Sequence, residues 1–542
     1  MQPFIQKIQT MKKQIIIGVI VLSALAGYTQ TYQIDWQNCY GGSQEEIATD
    51  IIRDGSGYLI LGTSESADGD VGYNLGNTDA WLIKTDSTGS MIWSKVYGGS
   101  DNDYLSRIIP APQSGYYLVG SSYSSDWDLQ GDPYPNSEDY WIMKIDNAGN
   151  KIWSRLYGGT GGDRAQTALI DADSNLVVLG TTGSEDGDVS LNFGASDIWM
   201  IKIDSEGELQ WDHSSGTDWV DMGKTMIPTP DGGYLLGCDS ELGYLGFITC
   251  MPRYDLMNNL LIKLDADRNM QWHRCYGGNG WDVMEELLAL EDGYMILSNT
   301  ESDDGDLEGV EVHGGQDIWL MRTNLNGEVL WQKCYGGSNA EFAKRIFHNS
   351  DGTFTLFGYT WSNDGQVSQN HSNFLDIWML TISDEGELIN QRCIGGIGFE
   401  HLLHGVIQKS DLNFVIAGVT DLGPSYDVTC TPHNLYYYER DIWVLEISDT
   451  ITSLPAIPVP AADKLNVYPN PADEYVSFEY LGQPQEETEI TIFNSMGSKI
   501  KNLVLYHSEN KIIWDVRQIP SGVYFFNLSN DDFSVRGKIV IN

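Results

Sequence analysis

The chain has 542 residues, with 76 acidic against 31 basic side chains and a formal charge of −45. That balance argues against nucleic acid and anionic lipid as partners, since both demand a basic footprint. Apolar residues make up 41% of the chain, enough for a folded core, and 29 Tyr with 17 Trp favour strands over helices.

Residues 1–30 read as a signal peptide. Lys12 and Lys13 precede the apolar run 15–25, Ala24-Leu25-Ala26 offers a small-residue cleavage site, and Met11 is a plausible start. The run is too short to span a membrane, so the expectation is an exported protein with no transmembrane span once mature.

From residue 31 to 450 one unit recurs. Its anchor is a D-x-W strand at Trp81, Trp141, Trp199, Trp319, Trp378 and Trp443, with Leu260 as the odd member, spaced by 60, 58, 61, 59, 59 and 65 residues. Such a period means one supersecondary unit that buries its apolar surface only against its neighbours. Within the first repeat, residues 47–54, 58–64, 79–86 and 91–97 alternate with turns such as DGSG and STG, the pattern of an antiparallel meander. Seven such units predict an all-β, seven-bladed β-propeller of four-stranded blades. The chain opens on a lone fourth strand and its seventh repeat stops after the third, which predicts that residues 32–40 pair with 441–448 and close the ring.

The repeated Trp at both positions reads as packing between blades, and a second-strand glycine (Gly62, Gly120, Gly180, Gly237, Gly358, Gly418) as close backbone approach. A Gly pair at the end of the fourth strand is followed in every repeat by an acid: Glu46, Asp103, Asp163, Asp221, Asp282, Glu341 or Glu400. These are expected to accept loop amide hydrogens. The loop between second and third strands carries Asp68-Gly69-Asp70, Asp186-Gly187-Asp188 and Asp304-Gly305-Asp306. Oxygen pairs around a glycine turn suit Ca²⁺, so Asp68, Asp70, Asp186, Asp188, Asp304 and Asp306 are the candidate metal ligands. Cys39, Cys275, Cys334 and Cys393 share one repeat position and are expected to stay unbridged. Cys238 and Cys250 lie in one irregular stretch and are a candidate disulfide, while Cys430 has no evident partner.

These repeats, with their GGS…D start, D-G-x-x-Y/V strand and D-x-W-x-x-K-x-D-x-x-G close, resemble the seven-bladed propeller repeats of bacterial exported proteins over residues 31–448. The clearest departure falls at 238–259.

Residues 451–463 carry a proline-rich linker, and 464–542 hold six or seven strand-like runs, a small β-sandwich. NVYPNPADEYVSF, ITIFNSMGSKI, IPSGVYFFNL and RGKIVIN in that tail closely resemble the type A C-terminal sorting domain of the type IX secretion system. The resemblance implies passage through that system's translocon, a sorting peptidase that removes the tail, and a protein released or held on the outer surface of a Gram-negative bacterium.

Motifs for catalysis are missing. There is no H-E-x-x-H, G-x-S-x-G or P-loop, and His401 and His404, three apart on a predicted inner strand, should point to opposite faces. TDSTGSMIW resembles the sugar-hydrolase Asp-box with one residue too many. It also resembles the repeats of quinone-dependent dehydrogenases, without their adjacent cysteines. No catalytic residue and no cofactor other than Ca²⁺ is expected. The irregular loops at 238–259 and 421–440, the latter with Tyr436-Tyr437-Tyr438, favour a module that binds an extracellular protein or glycan. The alternative is a secreted hydrolase or lyase with its site in the central channel.

Overall fold

A computed structural model describes residues 31–542 except 132–133, 136, 242–255, 373, 434–438, 451–464, 469–470, 473, 481–487, 495–498, 506–510, 518, 521, 530–533 and 542. The targeting segment, the linker, Cys250 and the three tyrosines at 436–438 lie outside the described residues. The chain divides into two compact units, Met1–Asp449 and Thr450–Asn542.

The first unit is a seven-bladed propeller. Seven four-stranded antiparallel sheets follow one another, and the first strand of each touches the first strand of the next all the way round. In the seventh sheet Thr31–Tyr40 lies beside Asp441–Thr450, outside Asn413–Thr420 and His401–Ser410, so the N-terminal strand closes the ring as expected. Second and third strands are buried on both faces, which is why GYLILGTS and DIWMIKI read as nearly unbroken apolar runs. Fourth strands such as Met91–Tyr97 are half exposed.

Each third-strand Trp is fully buried and faces a small second-strand residue: Gly62 opposite Trp81, Gly120 opposite Trp141, Gly358 opposite Trp378. Blade four corrects the assignment made from sequence. Cys238, not Gly237, stands opposite Leu260. A smaller residue on the third strand is matched by a larger one on the second, so volume is kept. Cys238 is therefore a core thiol, free and buried, and does not bridge to Cys250. Cys334 and Cys393 are likewise free and buried. Cys39, however, bonds Cys430 with their Cα atoms 5.7 Å apart, across 391 residues, and Cys275 is also disulfide-bonded. Ring closure is what brings Cys39 to the last blade.

The second unit packs a three-stranded sheet (Leu465–Tyr468, Tyr475–Tyr480, Lys511–Asp515) and a four-stranded one around Val476, Phe478, Ile490, Trp514, Phe526 and Ile539. Its motifs have structural reasons. Ala472 of YPNPA is fully buried and its N–H donates to the Val540 carbonyl at 2.8 Å. The Tyr524 hydroxyl of SGVY donates to the Pro520 carbonyl at 2.7 Å, pinning the turn before its own strand.

Candidate functional site

The acids after the Gly pairs behave alike. Each accepts the amide N–H four residues earlier, from Gly42 to Glu46, Gly99 to Asp103, Gly159 to Asp163, Thr217 to Asp221, Gly278 to Asp282, Gly337 to Glu341 and Gly396 to Glu400, at 2.6–2.9 Å. The Asp-Gly-Asp turns brace the same loops. Asp68, Asp186 and Asp304 accept the N–H of Ser43, Thr160 and Asn279 at 2.7–2.8 Å. Asp70, Asp188 and Asp306 accept those of Gly41, Gly158 and Gly277 at 3.0–3.4 Å. Among the described residues no three His, Cys, Asp or Glu side chains gather as metal ligands would.

The channel wall shows what the sequence hid. In every blade the first strand slips register against the second, for example between Ala48 and Asp50, Leu105 and Arg107, Met284 and Glu286, and Ala343 and Arg345. A β-bulge of this kind inserts one residue and re-aims its neighbours. The device repeats; its residues do not. Successive bulges carry Asp50, Arg107, Gln166, Lys224, Glu285 with Glu286, Lys344 with Arg345, and His404.

These side chains form one network from blade to blade. Asp50 accepts the Ile108 N–H at 2.9 Å, and Glu286 accepts the Ile346 N–H at 2.7 Å. Lys344 lies 2.9 Å from Glu285, Arg345 3.2 Å from Glu286, and Lys224 3.4 Å from Asp239. Four cations meet four carboxylates there, so the channel is near neutral inside a strongly acidic protein. Burial pushes the carboxyl of Asp239 up to about 6 against the pull of Lys224, and raises Asp50 and Glu286 against Arg107 and Arg345. Burial and the surrounding cations hold His404 neutral, and His401 falls to about 3. The Arg107 Nη1 has no hydrogen-bond partner.

Where the inner strands begin, aromatic side chains stand in solvent: Tyr104, Tyr123, Trp219, Trp281 and Trp361 are 38–46% exposed. Phe342 stacks on Tyr359 at 4.9 Å and meets Trp361 at 6.3 Å, and Tyr359 contacts His401 at 5.6 Å. Aligning the repeats on their first strands would have exposed both the bulge residues and these aromatics as the positions that vary.

Residues 466–542 match the family model described as the secretion system C-terminal sorting domain. A curated relative, the regulatory protein FlaEY of Caulobacter vibrioides, is 26% identical over 155 residues, which is 27% of this chain and 16% of that protein. The chain thus spans under a fifth of its length. Among solved structures, a puromycin hydrolase is similar at 10% identity with a TM-score of 0.43, over 80% of this chain and 58% of that one. Hydrazine synthase of Kuenenia stuttgartiensis is similar at 12% identity with a TM-score of 0.33, over 62% and 79%. The tail is a type IX secretion sorting domain, and it marks the protein for the cell surface or the medium of a Gram-negative bacterium.

Proposed function

We propose that the propeller is an extracellular binding module with no catalysis of its own, whose ligand, a glycan or a protein, docks where the inner strands begin. The carrying observation is the group of exposed aromatics. Trp281 stands where other blades carry Glu45, Asn102, Gly162, Val220, Ala340 or Phe399, so the repeat does not need a tryptophan there for packing. Large aromatics left in solvent together mark interaction surfaces. A second reading, a hydrolase or lyase in the channel, draws on the non-repeated inner-strand charges and the neutral His404. Against it stands the pairing of those charges with one another and with backbone amides, which leaves them holding blades together.

Residues 31–450 probed on glycan and protein arrays test the reading. Retention that falls at least tenfold in Trp281→Ala and Trp361→Ala, and persists in Glu286→Gln, supports it; release of a cleaved product from an arrayed glycan overturns it. Calcium at the Asp-Gly-Asp turns stands as a separate proposal. A melting temperature raised by Ca²⁺ beyond sodium chloride of matched ionic strength supports it, and equal shifts leave these carboxylates as amide acceptors.

A further inference from the structure

Neighbouring blades are latched by a repeated tyrosine. The Tyr before the Gly pair donates its hydroxyl to the glycine carbonyl in the turn joining third and fourth strands of the next blade. Tyr97 reaches Gly149 and Tyr157 reaches Gly207 at 2.6 Å, and Tyr335 reaches Gly386 at 2.7 Å. Tyr40 with Gly89 and Tyr276 with Gly327 complete the set. After blade six no such turn exists, because the last blade takes its third and fourth strands from opposite ends of the chain.

One junction keeps the turn but lacks both halves of the latch. Between blades three and four, Ser215 stands in the tyrosine position and Arg268 in the glycine position, the latter keeping the turn's left-handed backbone at φ 69°. A crevice of ≈ 510 Å³ opens there, lined more by apolar than by polar surface. Leu191 and Met270 stand at its rim, 51% and 36% exposed, and Phe193 forms a wall. The Arg268 guanidinium lies 4.5 Å over the Trp211 ring, and His213 Nε2 lies 3.1 Å from Ser215 Oγ. Ser214 Oγ, also in the lining, has no hydrogen-bond partner. The equivalent crevice between blades five and six, ≈ 440 Å³, has Tyr335 in its wall, latched to Gly386.

We infer that the crevice between blades three and four is a socket for a tyrosine side chain presented by an extracellular polypeptide. The protein's own architecture supplies the argument. At five equivalent junctions a phenol ring walls this place with its hydroxyl on the turn carbonyl; here Ser215 replaces the ring, and the cleft is larger than the one between blades five and six. An incoming ring would pack between Phe193 and Met270, and its hydroxyl would donate to the carbonyl of Arg268, as the native latch does to glycine. Burial of the ring supplies affinity and the hydroxyl supplies selectivity.

Ligand-observed NMR titration of the full chain with N-acetyl-tyrosinamide, N-acetyl-phenylalaninamide and N-acetyl-leucinamide tests this. A dissociation constant on the order of 1 mM or tighter is expected for the tyrosine amide. The phenylalanine amide should bind at least about fivefold more weakly, and the leucine amide weakest. The double variant Ser215→Tyr with Arg268→Gly rebuilds the latch, and should raise the melting temperature and abolish binding. Leu191→Glu, at an exposed rim position that folding does not depend on, should weaken binding even if the double variant fails to fold. Equal binding of all three amides, no binding of the tyrosine amide, or binding unchanged by both variants overturns the proposal. Because the crevice shares no residue with the exposed aromatics above, its failure leaves that reading untouched.

Discussion

At six of the seven blade junctions the first glycine of the pair sits between two buried carboxylates: the D-x-W aspartate of one blade and the loop acid of the next. A Cβ on Gly158 would collide with both Asp139 and Asp163, and one on Gly98 with Asp79 and Asp103. The Oδ1 of Asp79, Asp197, Asp317, Asp376 and Asp441 has no hydrogen-bond partner. Burial pushes these acids up, Asp79, Asp103, Asp197 and Asp282 to about 6, Glu46 to about 7 and Glu400 to about 8. A carboxyl whose folded pKa exceeds its unfolded value stabilises the fold while protonated, and that stability is lost as pH rises through the folded value. His401 and His404, held neutral in the fold, act in the opposite sense once unfolded histidine protonates below about 6.5. The melting temperature should therefore climb as pH falls from about 8 to about 4, with the two histidines offsetting part of the gain below about 6.5, which circular dichroism melts would show. The fourth junction already carries an amide, Asn258, opposite Asp282. Asp79→Asn copies it, keeps an oxygen for the Leu75 and Gly76 amides, and should raise stability at pH 8 by roughly 2 kcal/mol while flattening the slope. A destabilised Asp79→Asn at pH 8 would show that the ionised pair is favourable.

At the level of strands, the sequence exposed whatever repeats and concealed what a bulge displaces. The D-x-W strands, the Gly pairs and the turn glycines recur at fixed offsets because every blade packs the same way, so blade number and ring closure were legible. The bulge on the inner strand adds one residue where alternation counts two, and three residues between Leu402 and Val406 oppose the single Ala417. Assigning His401 and His404 to opposite faces by their spacing therefore had no footing. The Cys39–Cys430 bond was hidden for another reason: the two share no repeat position and meet only through closure. The channel network has a direct test in Glu286, which holds both Arg345 and the next strand's amide. Glu286→Ala leaves the half-buried Arg345 and the Ile346 amide without their partner and should cost about 1–3 kcal/mol in denaturant unfolding. Glu286→Gln keeps the amide acceptor and should cost less, and Glu286→Leu with Arg345→Met should recover most of the loss. If the double variant is as unstable as Glu286→Ala, the pair is not what holds these strands.

For the whole molecule, closure and export make separable demands. The sorting domain has its own core, so a chain ending at residue 463 should melt like the intact propeller yet remain in the periplasm. Its appearance in the medium at the parental level would refute the sorting role of the tail. Closure is held in two ways. The strand Thr31–Tyr40 pairs along Asp441–Thr450, buries Tyr32 and Tyr40, and bonds that neighbour through side chains: Gln37 accepts from the Trp443 indole at 3.0 Å, and the Trp36 indole donates to Glu446 at 2.8 Å. The Cys39–Cys430 bond then ties that strand to the last blade. A ring cannot lose one sector without exposing the flanks of both neighbours, so the strand should matter more than the bond. Replacing both cysteines by serine removes a constraint on the unfolded chain and should cost ~3 kcal/mol, with the strand still paired. Deleting residues 31–40 removes the strand, the bond and the tyrosine latch of Tyr40 to the first blade, and should lower the melting temperature well beyond the serine variant. Melts of the parent, the double serine variant and the deletion, each repeated in reductant, separate these contributions. A deletion that melts with the serine variant would mean the disulfide alone closes the ring, and the paired strand only decorates it.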